Sequence, residues 1–282
     1  MNTPTPPPLD SRARRGRSAA VGGGAAVLVV FALLPILALL IWAVAGQWRY
    51  PDLLPRSLSM RALERLFDPR QQIITGLLTS LGVAAAVTIL ACGIGYPAGR
   101  ALGLYRFRGR RLVQFFLLAP VIVPGVAVTL GIQVFFIRFN LADTVVGVIA
   151  VQLMPTVPYA ATVLAGAFAN FDPDYERQAR ALGARPWRTF LHVTFPILRP
   201  ALILAAVFTS LISWSEYILT FLIGGGQVKT LPLLLFSALS TSDTSSAAAL
   251  AVLLALPPLL LVAVTSRCVR SGSVAAIGFA RL

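Results

Sequence analysis

The sequence predicts an all-α membrane protein with six membrane-spanning helices, and three observations support this fold class. Of the 282 residues, 57% are hydrophobic and only 12% are charged, and the mean hydropathy is +0.81. Soluble proteins carry about 25% charged residues, so this chain could not cover a water-exposed surface. Long apolar stretches reach the roughly 20 residues that span a bilayer core. They are continuous and lack period-two alternation, which favours helices over barrel strands.

The predicted spans differ in their charged and helix-breaking residues. Five are free of charged side chains, and the fifth in order contains Glu216. Prolines inside spans three and four, such as Pro120 and Pro155, either line a pathway or only kink packed helices, because lipid tolerates such breaks where neighbours satisfy the freed carbonyls. The spans are predicted at residues 22–45, 73–98, 112–136, 144–168, 200–223 and 245–266.

The basic residues predict the orientation. Most of the 24 basic residues are arginines clustered in the loops that share a side with the N-terminus. Cytoplasmic loops carry such an excess, so both termini are expected in the cytoplasm. The loop of residues 48–70 is an exception, since it is predicted to be external and carries five arginines. Clusters between apolar runs also argue against a nucleic-acid binder, which needs a continuous basic face.

The N-terminal region allows two interpretations. Arginines, an apolar run and the small residues 43–45 together imitate a cleaved secretory signal. The apolar core is near 20 residues, longer than the 7–15 of a signal peptide, which favours a retained anchor. The proline-rich residues 1–18 are predicted to be a disordered cytoplasmic tail.

A cytoplasmic segment between spans four and five, residues 172–198, is predicted to form two short helices. Asp172 can cap a first helix that begins at Pro173 and stops at Gly183, where a left-handed C-terminal cap is favourable. A second helix is expected from Pro186 to Pro196.

The first of these helices is amphipathic. Tyr175, Ala179 and Leu182 recur at helical spacing, with charged residues on the other faces. A compact amphipathic projection held between two spans suits insertion into a groove on a partner, and the alternative is a simple connecting loop with a helical turn.

This segment resembles the EAA loop of ABC-importer permeases. The resemblance rests on residues 176–184, with Gly183 followed by Pro196 at the family spacing. Ala179 matches the pattern, whereas Arg177 and Gln178 stand where the family usually has Glu and Ala, and Glu176 is displaced by one position. The departure therefore concerns the residues at the start of the motif.

Other parts of the chain extend the resemblance. Residues 213–217, 224–226 and 230–232 resemble the fifth span and following external segment of spermidine/putrescine-type permeases, and residues 79–81 and 95–97 resemble their second span. The similarity thus covers the chain from about residue 73 to its end.

The resemblance implies a multi-pass permease of the bacterial inner membrane. Such a permease pairs with a second permease subunit, with a heterodimer favoured by analogy and a homodimer also allowed. Two ATPase subunits bind the EAA loops of the paired permeases, and an extracytoplasmic binding protein delivers the substrate. ATP and Mg²⁺ then belong to the ATPase, and this chain needs no cofactor, no metal and no catalytic residue.

The resemblance also implies roles for particular residues and a class of substrate. A polyamine or similar small solute is the expected cargo, with thiamine, a metal, an anion or a sugar as alternatives. The expected ATPase-coupling residues are Glu176, Ala179, Leu182, Gly183 and Pro196, and the expected substrate-pathway residues are Ser213, Glu216 and Tyr217.

Glu216 is the only acid predicted well inside a span, and burying an ionised carboxylate is costly unless it is paired or wet. It either attracts a cationic substrate or positions helices around the pathway, or it forms a structural pair with Lys229 near the outer interface. A secondary transporter usually has several intramembrane acids, and an intramembrane enzyme needs a nucleophile with a base. Glu216 stands alone and the single histidine, His192, lies in a loop, so both rivals are disfavoured. Residues 224–230 imitate a phosphate loop but lack glycine before the lysine.

Overall fold

Helices make up almost all of the described chain. The structure, a computed structural model, describes residue 31 and residues 34–47, 57–68, 72–123, 125–241 and 243–270. A small antiparallel ribbon pairs β1 with β2. In chain order the elements are α1 (Leu34–Ala43), β1 (Ala45–Gln47), β2 (Ser57–Leu58), α2 (Arg61–Leu66), α3 (Ile73–Leu104), α4 (Arg110–Ile122), α5 (Gly125–Arg138), α6 (Val145–Ala169), α7 (Asp174–Ala181), α8 (Pro186–Thr189), a π-helical turn (Phe190–Thr194), α9 (Phe195–Ser215), α10 (Ile218–Gly224), α11 (Leu231–Ser240) and α12 (Thr244–Arg270).

Four helices in the described residues are long and apolar enough to cross a membrane. They are α3, α6, the continuous helix Pro186–Ser215 and the stretch Thr244–Thr265 of α12. A fifth span results if α4 and α5 count together. Of the predicted first span, α1 is described, and the rest of residues 22–45, like the tail at residues 1–18, lies largely outside the described residues.

The predicted third span is divided into two helices. The segments Arg110–Ile122 and Ala127–Arg138 are bent by 94° relative to each other. Val123 ends α4 in an extended conformation (φ −76°, ψ 134°), and in the sequence it precedes Pro124. The residue before a proline is driven out of the helical region by the proline ring, which accounts for the end of α4.

The predicted fifth span is broken near its end. Helix α9 stops at Ser215, Glu216 is extended (φ −75°, ψ 116°), and α10 begins at Ile218. A further apolar helix, α11, follows before α12, in a region where the sequence predicts an external segment.

The helix expected to end at Pro196 continues without interruption to Ser215. Pro196 lies in the first turn of α9, directly after the π-helical turn. Proline lacks the N–H that a helix interior would use, and the wider π turn accommodates that loss.

Helices α3 and α6 are packed more closely than ordinary side chains allow. Gly95, Gly99 and Gly103 recur every fourth residue of α3 and face α6. A Cβ atom added at Gly99 would lie 2.7 Å from the Leu164 Cβ and 3.0 Å from the Ala161 carbonyl oxygen. Small residues at this spacing let helix backbones approach each other in membranes, so this stripe fixes α3 against α6.

Polar contacts join α2, α9 and α11 to their neighbours. Arg65, from the arginine-rich loop, forms an ion pair with Asp243 at the start of α12. The Trp214 indole N–H donates to the Leu254 carbonyl oxygen at 2.9 Å. At the start of α11, the Leu231 N–H donates to the Ser80 hydroxyl at 2.8 Å. The bond from Leu231 to Ser80 places the start of α11 beside the first part of α3, at the opposite end of α3 from α7.

Candidate functional site

The knob, defined here as residues 172–194, begins with a capped helix. The Asp174 N–H donates to the Asp172 carboxylate at 2.9 Å, which satisfies one of the unpaired donors at the start of α7. The acids Asp174 and Glu176 occupy the first turn, where the helix dipole favours negative charge. The expected start of this helix is therefore found within one residue.

The end of α7 has the expected glycine cap. Gly183 has a φ of +83°, a conformation that side chains with a Cβ disfavour. Its N–H donates to the Arg180 carbonyl at 2.9 Å, and the Ala184 N–H donates to the Ala179 carbonyl at 3.0 Å. These two bonds form a Schellman motif, which turns the chain sharply into α8.

One face of the knob is apolar and exposed. Leu182 is 89% exposed and Trp187 is 67% exposed, and Tyr175 is exposed as well. Between α7 and the next helix runs an open groove of about 540 Å³. Its lining residues are Ala179, Ala184, Arg188, Thr189, His192 and Val193. Exposed aromatic and aliphatic side chains beside a groove are suited to docking on another protein.

Glu176 is turned toward the protein interior and is only 6% exposed. Its two carboxylate oxygens accept hydrogen bonds from Arg100 at 2.8 and 2.6 Å. The Thr194 hydroxyl donates to the same carboxylate at 2.7 Å, and Arg180 lies 3.6 Å away. The hydrogen bonds from Arg100 hold the pKa of the Glu176 carboxyl below its ordinary value, because they outweigh the effect of burial.

A series of aromatic contacts also joins the knob to the long helices. The Trp187 ring stacks on Phe190 with centroids 5.6 Å apart, and Phe190 meets Tyr96 of α3 edge-on at 5.5 Å. Tyr96 in turn contacts Phe168 of α6 at 5.4 Å. Such edge-to-face and stacked pairs stabilise beyond the area they bury. The knob is thus joined to both α3 and α6.

A second polar cluster lies at the break between α9 and α10, and the sequence interpretation included only one of its members. Gln152 of α6 is 1% exposed, and its amide N–H donates to the Thr220 hydroxyl at 2.9 Å. Its amide oxygen accepts from the Ser213 hydroxyl at 2.5 Å. Gln152 is the single amide side chain in its span, and a lone amide in an apolar helix should face other protein groups. That signal was available in the sequence.

The three expected pathway residues lie at this break in different environments. Ser213 is buried by its bond to Gln152, whereas Glu216 and Tyr217 are half-buried. The Glu216 carboxylate accepts the Leu219 N–H at 2.9 Å and so caps α10. The Tyr217 ring stacks on Phe236 of α11 with centroids 4.0 Å apart.

Lys229 is the residue that the sequence predicts as a structural partner of Glu216. Its ammonium donates to the Gln72 side chain at 2.6 Å, and no ion pair joins it to Glu216 in the structure. Within residues 31–270, leaving aside the gaps in the description, no group of three or more His, Cys, Asp or Glu side chains is arranged as metal ligands.

A match to a protein family identifies the kind of protein to which this chain belongs. Residues 95–270 match the family described as "Binding-protein-dependent transport system inner membrane component". The chain belongs to this family. It is an ABC-importer permease, a non-enzymatic subunit of the inner membrane that works with a separate ATPase and a substrate-binding protein.

Individual relatives agree with this assignment. The permease is 27% identical over 250 residues to the "Putative 2-aminoethylphosphonate transport system permease protein PhnV" of Salmonella paratyphi A, covering 88% of this chain and 92% of the relative. It is 31% identical over 243 residues to the "Molybdenum transport system permease protein ModB" of Mycobacterium tuberculosis, covering 80% of this chain and 85% of the relative.

Solved structures share its fold. A chain of a bacterial ABC transporter involved in the import of the acidic polysaccharide alginate superposes with a TM-score of 0.71 at 17% identity, covering 93% of this permease and 99% of that chain. A chain of the MetNI methionine ABC transporter, in inward-facing conformations, superposes with a TM-score of 0.54 at 18% identity, covering 72% and 98%.

Proposed function

We propose that this permease forms half of a substrate pathway and receives the movement of its ATPase through the knob. The observation that carries the proposal is the knob itself, an exposed apolar surface of defined shape that is anchored to two long helices. A docking surface that transmits movement needs both an exposed contact face and a rigid attachment. The groove beside Ala179 adds a concave surface to the exposed Leu182.

The proposed orientation in the membrane is the one that the distribution of arginines predicts. The knob end and both termini face the cytoplasm, and the α11 end faces outward. Six spans are proposed, with α1 as part of the first and the bent pair α4–α5 as the third. A second permease subunit, identical or homologous, completes the pathway.

The proposed docking surface consists of the exposed or half-exposed members of the expected coupling set. Leu182 and Gly183 lie at its tip, and Ala179 lies in the groove. Pro196 is exposed at the start of α9, next to the knob. ATP binding that closes the ATPase dimer would then bias the permease toward one of two states through this surface.

A cysteine crosslinking experiment tests the docking surface. The native cysteines Cys92 and Cys268 are replaced by alanine, and Leu182→Cys is treated with a thiol crosslinker in membranes. We expect a crosslinked product with the ATPase subunit. The matched control is Ser240→Cys, exposed at the α11 end, for which no such product is expected. A product from Ser240→Cys and none from Leu182→Cys would contradict both the orientation and the docking surface.

The proposed substrate is a small tetrahedral oxyanion. The relatives named above are named for 2-aminoethylphosphonate and molybdenum, and another is the "Molybdate/tungstate transport system permease protein WtpB" of Pyrococcus abyssi. The polyamine expectation rested on the resemblance to spermidine/putrescine-type permeases and on Glu216 as an intramembrane acid. Its carboxylate caps α10 in the structure, so the feature that favoured a cation has a structural explanation. Ser213 and Tyr217 remain proposed pathway residues together with Glu216.

Uptake by a deletion strain, with and without the restored gene, tests this substrate class. Labelled molybdate, 2-aminoethylphosphonate and putrescine are compared at equal concentration. We expect the restored gene to raise uptake of one oxyanion and to leave putrescine uptake unchanged. If the restored gene raises putrescine uptake and leaves the uptake of both oxyanions unchanged, the substrate is a polyamine and the proposed substrate class is wrong.

A further inference from the structure

The carboxylate of the EAA-like motif faces the interior of the permease. Glu176 is 6% exposed, and both of its oxygens are used by Arg100 and Thr194. A carboxylate so enclosed has no oxygen directed toward a docking partner. The adjacent outer position is occupied by Arg177, which is exposed and forms an ion pair with Asp174. The outer face of this helix therefore presents a cation where the resemblance places an acid.

The partner of Glu176 belongs to a membrane helix. Arg100 lies near the end of α3, one residue after Gly99, which contacts α6 directly. The Arg100 guanidinium also lies 5.7 Å from the centre of the Phe168 ring in α6. Paired hydrogen bonds from a planar guanidinium fix both distance and orientation, unlike a single contact with a flexible ammonium. Glu176 is thus fixed to a part of α3 that packs closely against α6.

Thr194 adds a third element to the same carboxylate. It is 1% exposed and lies in the π-helical turn that leads into α9. One carboxylate therefore connects α7, α3 and the start of the helix that runs on to Ser215. The aromatic contacts of Phe190 with Trp187 and Tyr96 also connect α8 and the π-helical turn to α3.

We infer that Glu176 and Arg100 are positioning residues that hold the knob rigidly on α3, and that Glu176 makes no contact with the ATPase. The inference rests on the proposed docking function and assigns a different role to one residue of the expected coupling set. A displacement of the knob then moves α7, α3 and α6 together. Without the pair, the knob stays on the ATPase but moves independently of α3.

Distance measurements between two spin labels test this role. The labels are attached at Gln178→Cys on α7 and Tyr105→Cys just after α3, both exposed, in the full chain lacking Cys92 and Cys268. The complex is measured by electron–electron double resonance without nucleotide and with ATP plus vanadate. In the otherwise unchanged chain we expect one narrow distance that is the same in both conditions.

The variants are E176Q and R100Q, with D174N as the matched control on the exposed face of α7. E176Q keeps the size of the side chain and its capacity to accept from Thr194. We expect E176Q and R100Q each to lose the single narrow distance, while D174N keeps it. The double variant E176Q/R100Q should give a distance distribution no broader than that of either single variant, because the same interaction is removed in all three.

ATPase binding separates this inference from the proposed function. The amount of ATPase that co-purifies with each variant should stay within about twofold of the unchanged chain, since the pair is not part of the docking face. If E176Q loses the ATPase while R100Q keeps it, Glu176 is itself a docking residue and the inference is wrong. If all variants keep a narrow distance, it is also wrong. If no ATPase binds the unchanged chain, the proposed function fails, whereas the distances without nucleotide still test the rigid attachment.

Discussion

At the knob end, the long helices α3 and α6 approach each other through glycines, and the doubly hydrogen-bonded ion pair of Glu176 with Arg100 attaches the cytoplasmic helix to α3. At the α11 end, the chain instead consists of shorter helices, where α5 is bent from α4, α10 is separated from α9, and α11 is a separate short helix. Continuous, closely packed helices transmit a displacement, whereas breaks between helices allow one piece to move against another. The difference suggests that force enters through the rigid end and that shape changes occur at the broken end.

The largest expected effect comes from disturbing the close approach of α3 and α6. Gly99→Leu would place a side chain within about 3 Å of the Ala161 carbonyl and of Leu164. Overpacking typically costs about 1–3 kcal/mol, and more where backbone is in the way. We expect little folded protein, measured as the monodisperse fraction in size-exclusion chromatography of detergent extracts.

Gly82→Leu on the same helix is the matched control. A Cβ at Gly82 meets nothing within 4 Å, so this variant should be extracted in nearly normal yield. Equal losses for both variants would mean that a larger side chain anywhere on α3, rather than its clash with α6, determines the effect.

The broken end depends on the cluster around Gln152, and its disruption should have an intermediate effect. Ser213→Ala removes the hydroxyl that donates to the buried amide oxygen of Gln152. Leaving a buried polar group unpaired costs about 1–3 kcal/mol in water, and interhelical bonds in membranes are worth about 0.6 kcal/mol on average. We therefore expect a decrease of a few degrees in the thermal midpoint, measured with a thiol-reactive dye that labels the half-buried Cys92 of α3 as the protein unfolds.

Ser215→Ala, two residues further along α9, provides the comparison. The Ser215 hydroxyl is exposed and bonds only to carbonyls of its own helix. Its loss should leave the midpoint unchanged. A decrease as large as that of Ser213→Ala would show that the contact with α6 contributes nothing measurable.

The smallest expected effect is the pH dependence of the knob. Because Arg100 lowers the pKa of Glu176 in the folded protein, the pair contributes stability above the ordinary glutamate pKa of about 4.3 and loses it as the pH falls through the lower folded value. The difference in thermal midpoint between the unchanged chain and E176Q should be constant from pH 6 to 8 and shrink below about pH 4. A difference that grows on acidification would contradict this arrangement.

Local sequence signals predicted the knob well. The cap at Asp172 and the turn at Gly183 depend on neighbouring residues alone, and both are present in the structure. The role of Glu176 was not predictable, because its partner Arg100 lies 76 residues away and only the folded chain brings them together.

The breaks in the spans were less predictable for a related reason. Hydropathy measures apolar length and does not detect where the helix direction changes. The end of α4 before Pro124 carried a signal, since residues before proline leave the helical region. The sequence signal for the break at Glu216 was weaker. An acid inside a span can bind a substrate, or it can cap the next helix as Glu216 does.

The unbroken helix Pro186–Ser215 has a consequence for the surrounding lipid. Its 30 residues at about 1.5 Å each extend about 45 Å, some 15 Å more than the hydrocarbon thickness. With Arg199 at the depth of the phosphate groups, Trp187 stands about 18 Å away from it along the axis. Anionic lipids can then bind the arginine and adjust the tilt of the permease, yet they do not reach the tryptophan. Membrane composition should accordingly change how the protein sits in the bilayer without competing for its docking surface.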